Sequence, residues 1–245
     1  MRARFVTVAV LAMFGGAALA ADLPPSPPPF IPAPAPPIFL TWSGFYFGLN
    51  AGGGFATGQS DFAVAGATFA TVSNPIKGFT GGVQAGFNMQ AGPFVYGLES
   101  DFQYSGLKGD VRAPCGAGVC GVALSADYRQ EMPWFGTVRG RAGYANAGWL
   151  FYLTGGYAYA QLKTDATATA GGVSAAVSSK DFRNGWTVGT GIEVMLTRGW
   201  SAKLEYLYLD FGSKTTNYVF TGLPVIADST RLDMSVVRAG VNYRF

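Results

Sequence analysis

The chain has 245 residues, 49% hydrophobic but only 13% charged, with 35 glycines, 15% aromatics and no histidine. So few charges are unusual for a water-soluble domain, and so much glycine and aromatic residue argues against helices. The net charge is +3, which falls to +1 (15 bases, 14 acids) once Arg2 and Arg4 of the expected leader are set aside, so nucleic acid is not an expected partner.

Met1 to Ala20 has the three parts of a secretory signal peptide. Arg2 and Arg4 form its charged start, Phe5 to Leu19 its apolar core, and Ala18-Leu19-Ala20 its cleavage site. The apolar stretch is too short and too broken by small residues for a membrane anchor. Residues 21–40 read as a proline-rich periplasmic tether, since PPSPPPFIPAPAPP at 24–37 holds nine of the fourteen prolines. Proline fixes its own φ and has no amide hydrogen, which favours a polyproline-II spacer over a strand.

Residues 41–245 read as one all-β domain. Eight strands are expected at 42–52, 78–91, 93–105, 127–145, 148–162, 182–195, 199–211 and 231–245. Tight turns at 91–93, 145–148 and 196–199 alternate with long polar connections at 53–77, 106–126, 163–181 and 212–230. That alternation predicts an eight-stranded antiparallel up-and-down transmembrane β-barrel with turns at one rim and loops at the other.

Side chains alternate between the two faces of a strand. In the third strand Phe94, Tyr96, Leu98, Phe102 and Tyr104 oppose Glu99, Asp101 and Gln103; in the seventh Trp200, Leu204, Tyr206 and Tyr208 oppose Ser201, Lys203 and Glu205. The second, fourth, sixth and eighth strands repeat the pattern, whereas the fifth is apolar on both faces and its facing stays open. A soluble barrel would bury the apolar face and a membrane barrel would turn it to lipid. No segment after residue 21 is long and apolar enough for a spanning helix, so a membrane protein from this chain has to be a barrel. Four acids (Glu99, Asp101, Glu193, Glu205) and four bases (Arg139, Arg141, Lys203, Arg238) then face the lumen, a balance that permits a fully paired interior.

These segments resemble the small outer-membrane barrels of Gram-negative bacteria, the OmpA-like "porin family" in its alphaproteobacterial branch. The resemblance is carried by WSGFYFGLNAGG (42–53), GGVQAGFN (81–88), GPFVYGLESDFQ (92–103), WFGTVRGRAGYA (134–145), TGGYAYA (154–160), GWTVGTGIE (185–193), WSAKLEYLYLDFG (200–212) and VRAGVNYRF (237–245), and it touches every strand. It implies an outer-membrane location, surface-exposed loops and partners of outer-membrane lipid and lipopolysaccharide. It also implies that the final strand, with Val241, Tyr243 and Phe245, is the signal read by the barrel-assembly machinery. The family supplies no catalytic residues.

Cys115 and Cys120, in CGAGVC, are expected to form a disulfide in an oxidising compartment. Without histidine neither a metal site nor an acid–base site is expected, and no cofactor. A structural, envelope-integrity role with a lumen plugged by charged side chains is the leading expectation; a small-solute channel and a haem-type surface receptor, with Tyr218 as an available ligand, are the alternatives.

Overall fold

The computed structural model describes residues 41–64, 67–115, 124–170, 173–218 and 226–245. They form eight strands: β1 (Gly44–Val64), β2 (Ala67–Ala91), β3 (Phe94–Cys115), β4 (Leu124–Asn146), β5 (Trp149–Ala170), β6 (Val173–Thr197), β7 (Trp200–Tyr218) and β8 (Ile226–Arg244). Each pairs antiparallel with the next, and β8 closes onto β1. The signal peptide and the tether lie outside the described residues.

The three turns at one rim are short because their residues accept left-handed backbone. Ala147 and Gly148 sit at φ +46° and +84°, the positive pair that a two-residue hairpin of the right twist requires, and Gly199 repeats the value at +84°. Both chain ends of the barrel reach this rim, where Tyr46 pairs Arg244.

The register fixes the tilt. From Thr57 the ladder runs through Asp233, Asp210, Trp186, Tyr157, Val138, Ser100 and Ala85 and returns to β1 at Phe47, an offset of ten residues. For eight strands such a stagger corresponds to strands inclined by about 40° to the barrel axis.

Over the half of the barrel next to the short turns, the outer face is apolar. Phe47, Leu49, Leu98, Val188, Leu204 and Val241 point outward, Leu98 with 68% of its surface exposed. Aromatic rows bound this band, with Phe94, Tyr144, Trp149 and Tyr243 near the turns and Phe55, Phe79, Tyr104 and Phe182 at the far edge. β5 conforms as well, with Trp149, Phe151, Leu153 and Tyr157 outside and Leu150, Tyr152 and Ala158 inside.

The strand ends differ from expectation. The stretches 53–77, 106–126, 163–181 and 212–230 were expected to be loops, yet most of their described residues belong to strands of 19 to 25 residues. Tyr218, read as a loop residue, ends β7 opposite Ile226. A tilted strand of about 9–11 residues spans a bilayer, so roughly half of each strand projects beyond it.

The projecting half keeps the period of two but exchanges its faces. Ile76, Leu107, Met132, Leu162 and Leu232 point inward and are fully buried, while their neighbours Lys77, Lys108, Glu131, Lys163 and Arg231 face outward. Below the outer aromatic row the outer face is apolar and the middle of the lumen is charged; above it the outer face is polar and a layer of apolar side chains points inward, as in a water-soluble barrel. Bulges in three of the ladders, near Tyr104/Leu107, Glu131/Trp134 and Asp210/Ser213, lie close to this change.

A charge on the lower outer face should therefore be costly. Leu98→Arg is expected to lower unfolding stability in lipid vesicles by about 2–4 kcal/mol. Urea titration read by the mobility shift between folded and boiled protein measures it, and an unchanged midpoint would contradict the facing.

Candidate functional site

The strand alternation that turns Leu98 and Leu204 outward turns their neighbours into the lumen. Glu99, Asp101, Arg139, Arg141, Glu193, Lys203, Glu205 and Arg238 are all buried there, on β3, β4, β6, β7 and β8. The structure brings these eight side chains into one connected network.

Arg139 is its hub. Its guanidinium donates to Glu99, to Asp101 at 3.0 Å and to Glu205 at 3.0 Å, while its Nε donates to Thr137 at 2.9 Å. Arg238 reaches the same acids from β8, with Nη2 donating to Asp101 at 3.0 Å and Nε to Glu205 at 2.8 Å. Lys203 donates to both oxygens of Glu99 at 3.0 and 3.1 Å. Arg141 bonds Glu193 at 2.8 Å, and Glu193 also accepts from Ser201 at 2.5 Å and Asn242 at 2.8 Å. Four positive and four negative groups thus cancel, with each carboxylate bonded to more than one donor. This matters because an unpaired ion in a low-dielectric interior costs several kcal/mol.

Two tyrosines complete the network, and the expected polar set omitted both. Tyr46 donates to Glu99 at 2.7 Å and Tyr152 to Glu205 at 3.0 Å, and the Arg141 guanidinium lies 4.0 Å from the Tyr152 ring centroid. Each phenol reaches over the neighbouring strand because its register partner there is a glycine. Tyr46 lies opposite Gly86 and Tyr152 opposite Gly191, and a Cβ on either glycine would collide with the phenol. An inward tyrosine facing an inward glycine across a ladder is a signal that sequence carries only once the register is known.

The network is bounded on both sides by apolar layers. Towards the loop side Phe135, Leu207, Leu209, Phe211, Met234 and Val236 pack with Leu107 and Met132 in one buried cluster. Towards the turns Trp42, Val95, Leu150 and Tyr152 form a second. Beyond the outer cluster polar groups return, with Asn74 donating to Gln130 at 3.2 Å and Ser60 bonded to Thr230 at 3.0 Å.

The other expected sites lie apart. Cys115 is the last residue of β3, and Cys120 falls outside the described residues, as does the expected disulfide. On β8, Val241 pairs Leu49 and Tyr243 pairs Phe47 across the closing seam, and both face outward. The Tyr243 ring meets those of Trp200 and Phe245 at 5.2 and 5.1 Å.

A closed barrel with an apolar outer band, aromatic rims and a charged interior is the architecture of a membrane-spanning β-barrel protein. Residues 6–245 match the family described as "Outer membrane protein beta-barrel domain", and the chain belongs to that family. The 31 kDa outer-membrane immunogenic protein of Brucella melitensis is 36% identical over 255 residues, covering 98% of each chain. The 22 kDa outer membrane protein of Rhizobium leguminosarum is 32% identical over 206 residues, covering 84% of this chain and 79% of the relative. Among solved structures, the outer membrane protein OprG of Pseudomonas aeruginosa shares the fold, with a TM-score of 0.54 at 15% identity over 83% of this chain and 97% of its own. The protein is thus an integral outer-membrane barrel.

Removing the hub should show how tightly the charges are coupled. Arg139→Ala leaves Glu99, Asp101 and Glu205 short of a donor and is expected to cost about 3–5 kcal/mol. Tyr152→Phe removes one bond to a carboxylate and is expected to cost about 1.5–3 kcal/mol. Equilibrium unfolding in vesicles measures both, and an Arg139→Ala cost no larger than that of Tyr152→Phe would show that the hub is dispensable.

Proposed function

We propose that the protein is a non-enzymatic component of the outer membrane, with a lumen closed to solutes and an exposed upper barrel that presents its wall and loops at the cell surface. The observation that carries this reading is the stacking, in one lumen, of the paired charges around Arg139 and the apolar cluster around Leu209 and Phe135. An ion that passed the charged layer would next meet a mainly apolar layer, and the desolvation cost opposes its passage. An eight-stranded barrel leaves an interior about wide enough for its own side chains to fill. The absence of histidine from the chain also supports the non-enzymatic reading, because the commonest general base is missing. The extent of strand beyond the apolar band supports a surface role.

Planar-bilayer recording with the purified barrel tests the closed lumen. No conductance steps above those of the protein-free bilayer are expected, either from the natural sequence or from Arg139→Ala, whose apolar layer remains in place. Reproducible steps from the natural protein would support the channel reading instead. Steps confined to Arg139→Ala would show that the charged layer alone holds the lumen closed.

A further inference from the structure

One row of the outer wall breaks the charge pattern of the rows around it. Following the ladder from β2 to β6, Lys77 pairs with Lys108, Lys108 with Glu131, Glu131 with Lys163, and Lys163 with Lys180. The row carries four positive charges and one negative, and two of its four junctions set lysine against lysine. The next row outward alternates in sign, as Asp110 pairs Arg129 and Arg129 pairs Asp165; beyond it Arg112 pairs Asp127. Like charges directly opposite each other on one face of a sheet are destabilising, so a ladder left to itself should avoid them.

The height of the row suggests what relieves the repulsion. Lys77 stands two residues beyond Phe79 and Lys180 two beyond Phe182, while Lys163 stands four beyond Tyr159, all on the outer face. At a rise of about 3.3 Å per residue and a tilt of about 40°, each of these lysines stands roughly 5–10 Å above the aromatic residue of its own strand. The row itself climbs by about 3 Å per strand from β2 to β6, because it runs at right angles to the tilted strands. Aromatic girdles mark the edges of the hydrocarbon, so the lysines stand at the level of lipid headgroups. Among the described residues no carboxylate pairs with Lys77 or Lys180, whereas Lys108 lies 3.7 Å from Glu131 and Lys163 lies 2.8 Å from Asp165. The partnered lysines are therefore the inner members of the row, and its two ends are open.

We propose that the row from Lys77 to Lys180 is a binding belt for the phosphate groups of lipid in the outer leaflet, with phosphates seated at the Lys77–Lys108 and Lys163–Lys180 junctions. A phosphate between two opposed ammonium groups converts a repulsion into two attractions, and lysine binds it as a compact point charge. This rests on the outer-membrane placement and not on the closed lumen; conductance through the barrel would leave the belt untouched.

The test uses the full-length folded protein in zwitterionic micelles, with unfolding midpoints read by the heat-induced mobility shift. The probes are a bisphosphorylated glucosamine lipid, its dephosphorylated form and inorganic phosphate. The lipid is expected to raise the midpoint of the natural protein, and the quadruple variant K77Q/K108Q/K163Q/K180Q should need at least about ten-fold more lipid for half the shift. A control carrying R112Q, R129Q, K214Q and R231Q should keep the lipid-induced shift. In micelles without phosphate the quadruple variant should unfold at a midpoint close to that of the natural protein, since two like-charge junctions and two exposed ion pairs are lost together; this also shows that it folds. The proposal is overturned if the quadruple variant responds to the lipid as the natural protein does, or if the dephosphorylated lipid acts equally well. Equal action by inorganic phosphate at the same concentration would mark a free-anion site and would overturn the assignment to lipid.

Discussion

Hydrocarbon offers a backbone amide no partner, so every strand in the membrane must find a neighbour on both sides, and the last must find the first. The seam between β1 and β8, from Tyr46–Arg244 to Val64–Ile226, is where this chain meets that requirement. The ten-residue offset accumulated on reaching the seam sets the tilt, and the tilt sets the width of the interior. That width decides that Arg139 on β4 can touch acids on β3 and β7 at once. A wider barrel would leave those ions to water, and a narrower one would have no room for Tyr46 and Tyr152 to cross over their glycines. Closure, tilt and the charge network are consequences of one another.

The interior combines two ways of filling a barrel. In the lower half, ions balance one another with tyrosine, serine and asparagine completing their bonds, an arrangement in which each member depends on the rest. Above it, leucine, methionine and phenylalanine fill one layer without polar demands, before hydrogen-bonded pairs such as Asn74–Gln130 and Ser60–Thr230 return further out. Truncations in the two halves should therefore differ in kind. Loss of a charged group leaves its partners uncompensated, whereas loss of a methylene leaves a small void worth about 1 kcal/mol.

Much of this was legible in the alternation of the sequence. The lower halves of β3 and β7 could be faced residue by residue because Leu98 against Glu99 and Leu204 against Lys203 are unambiguous contrasts. The upper halves escaped because the rule that marked the strands reverses there. Leu107 points inward where Phe102 points outward, so the apolar residues change parity along β3 without the strand ending, and Gly106 and Gly109 add the look of a loop. β5 was unreadable for a related reason: Leu150, Ala158, Ala160 and Leu162 face inner apolar clusters while Phe151, Leu153 and Tyr157 face lipid. The tyrosines of the network carry no such mark in the sequence, since a phenol declares its polarity only when an acceptor is brought within reach.

The reversal of polarity along each strand also fixes the molecule along the membrane normal. Sinking by two residues would drag Lys77 and Lys180 towards the acyl chains, and rising by two would lift Phe79 and Phe182 into water. Neither displacement is offset by anything inside the barrel, which moves as a unit. The protein is accordingly a gauge of bilayer thickness, its two aromatic rims spaced by backbone geometry that cannot compress. Bilayers much thinner or thicker than that spacing must deform around it, and the membrane region that deforms least is where the barrel will collect.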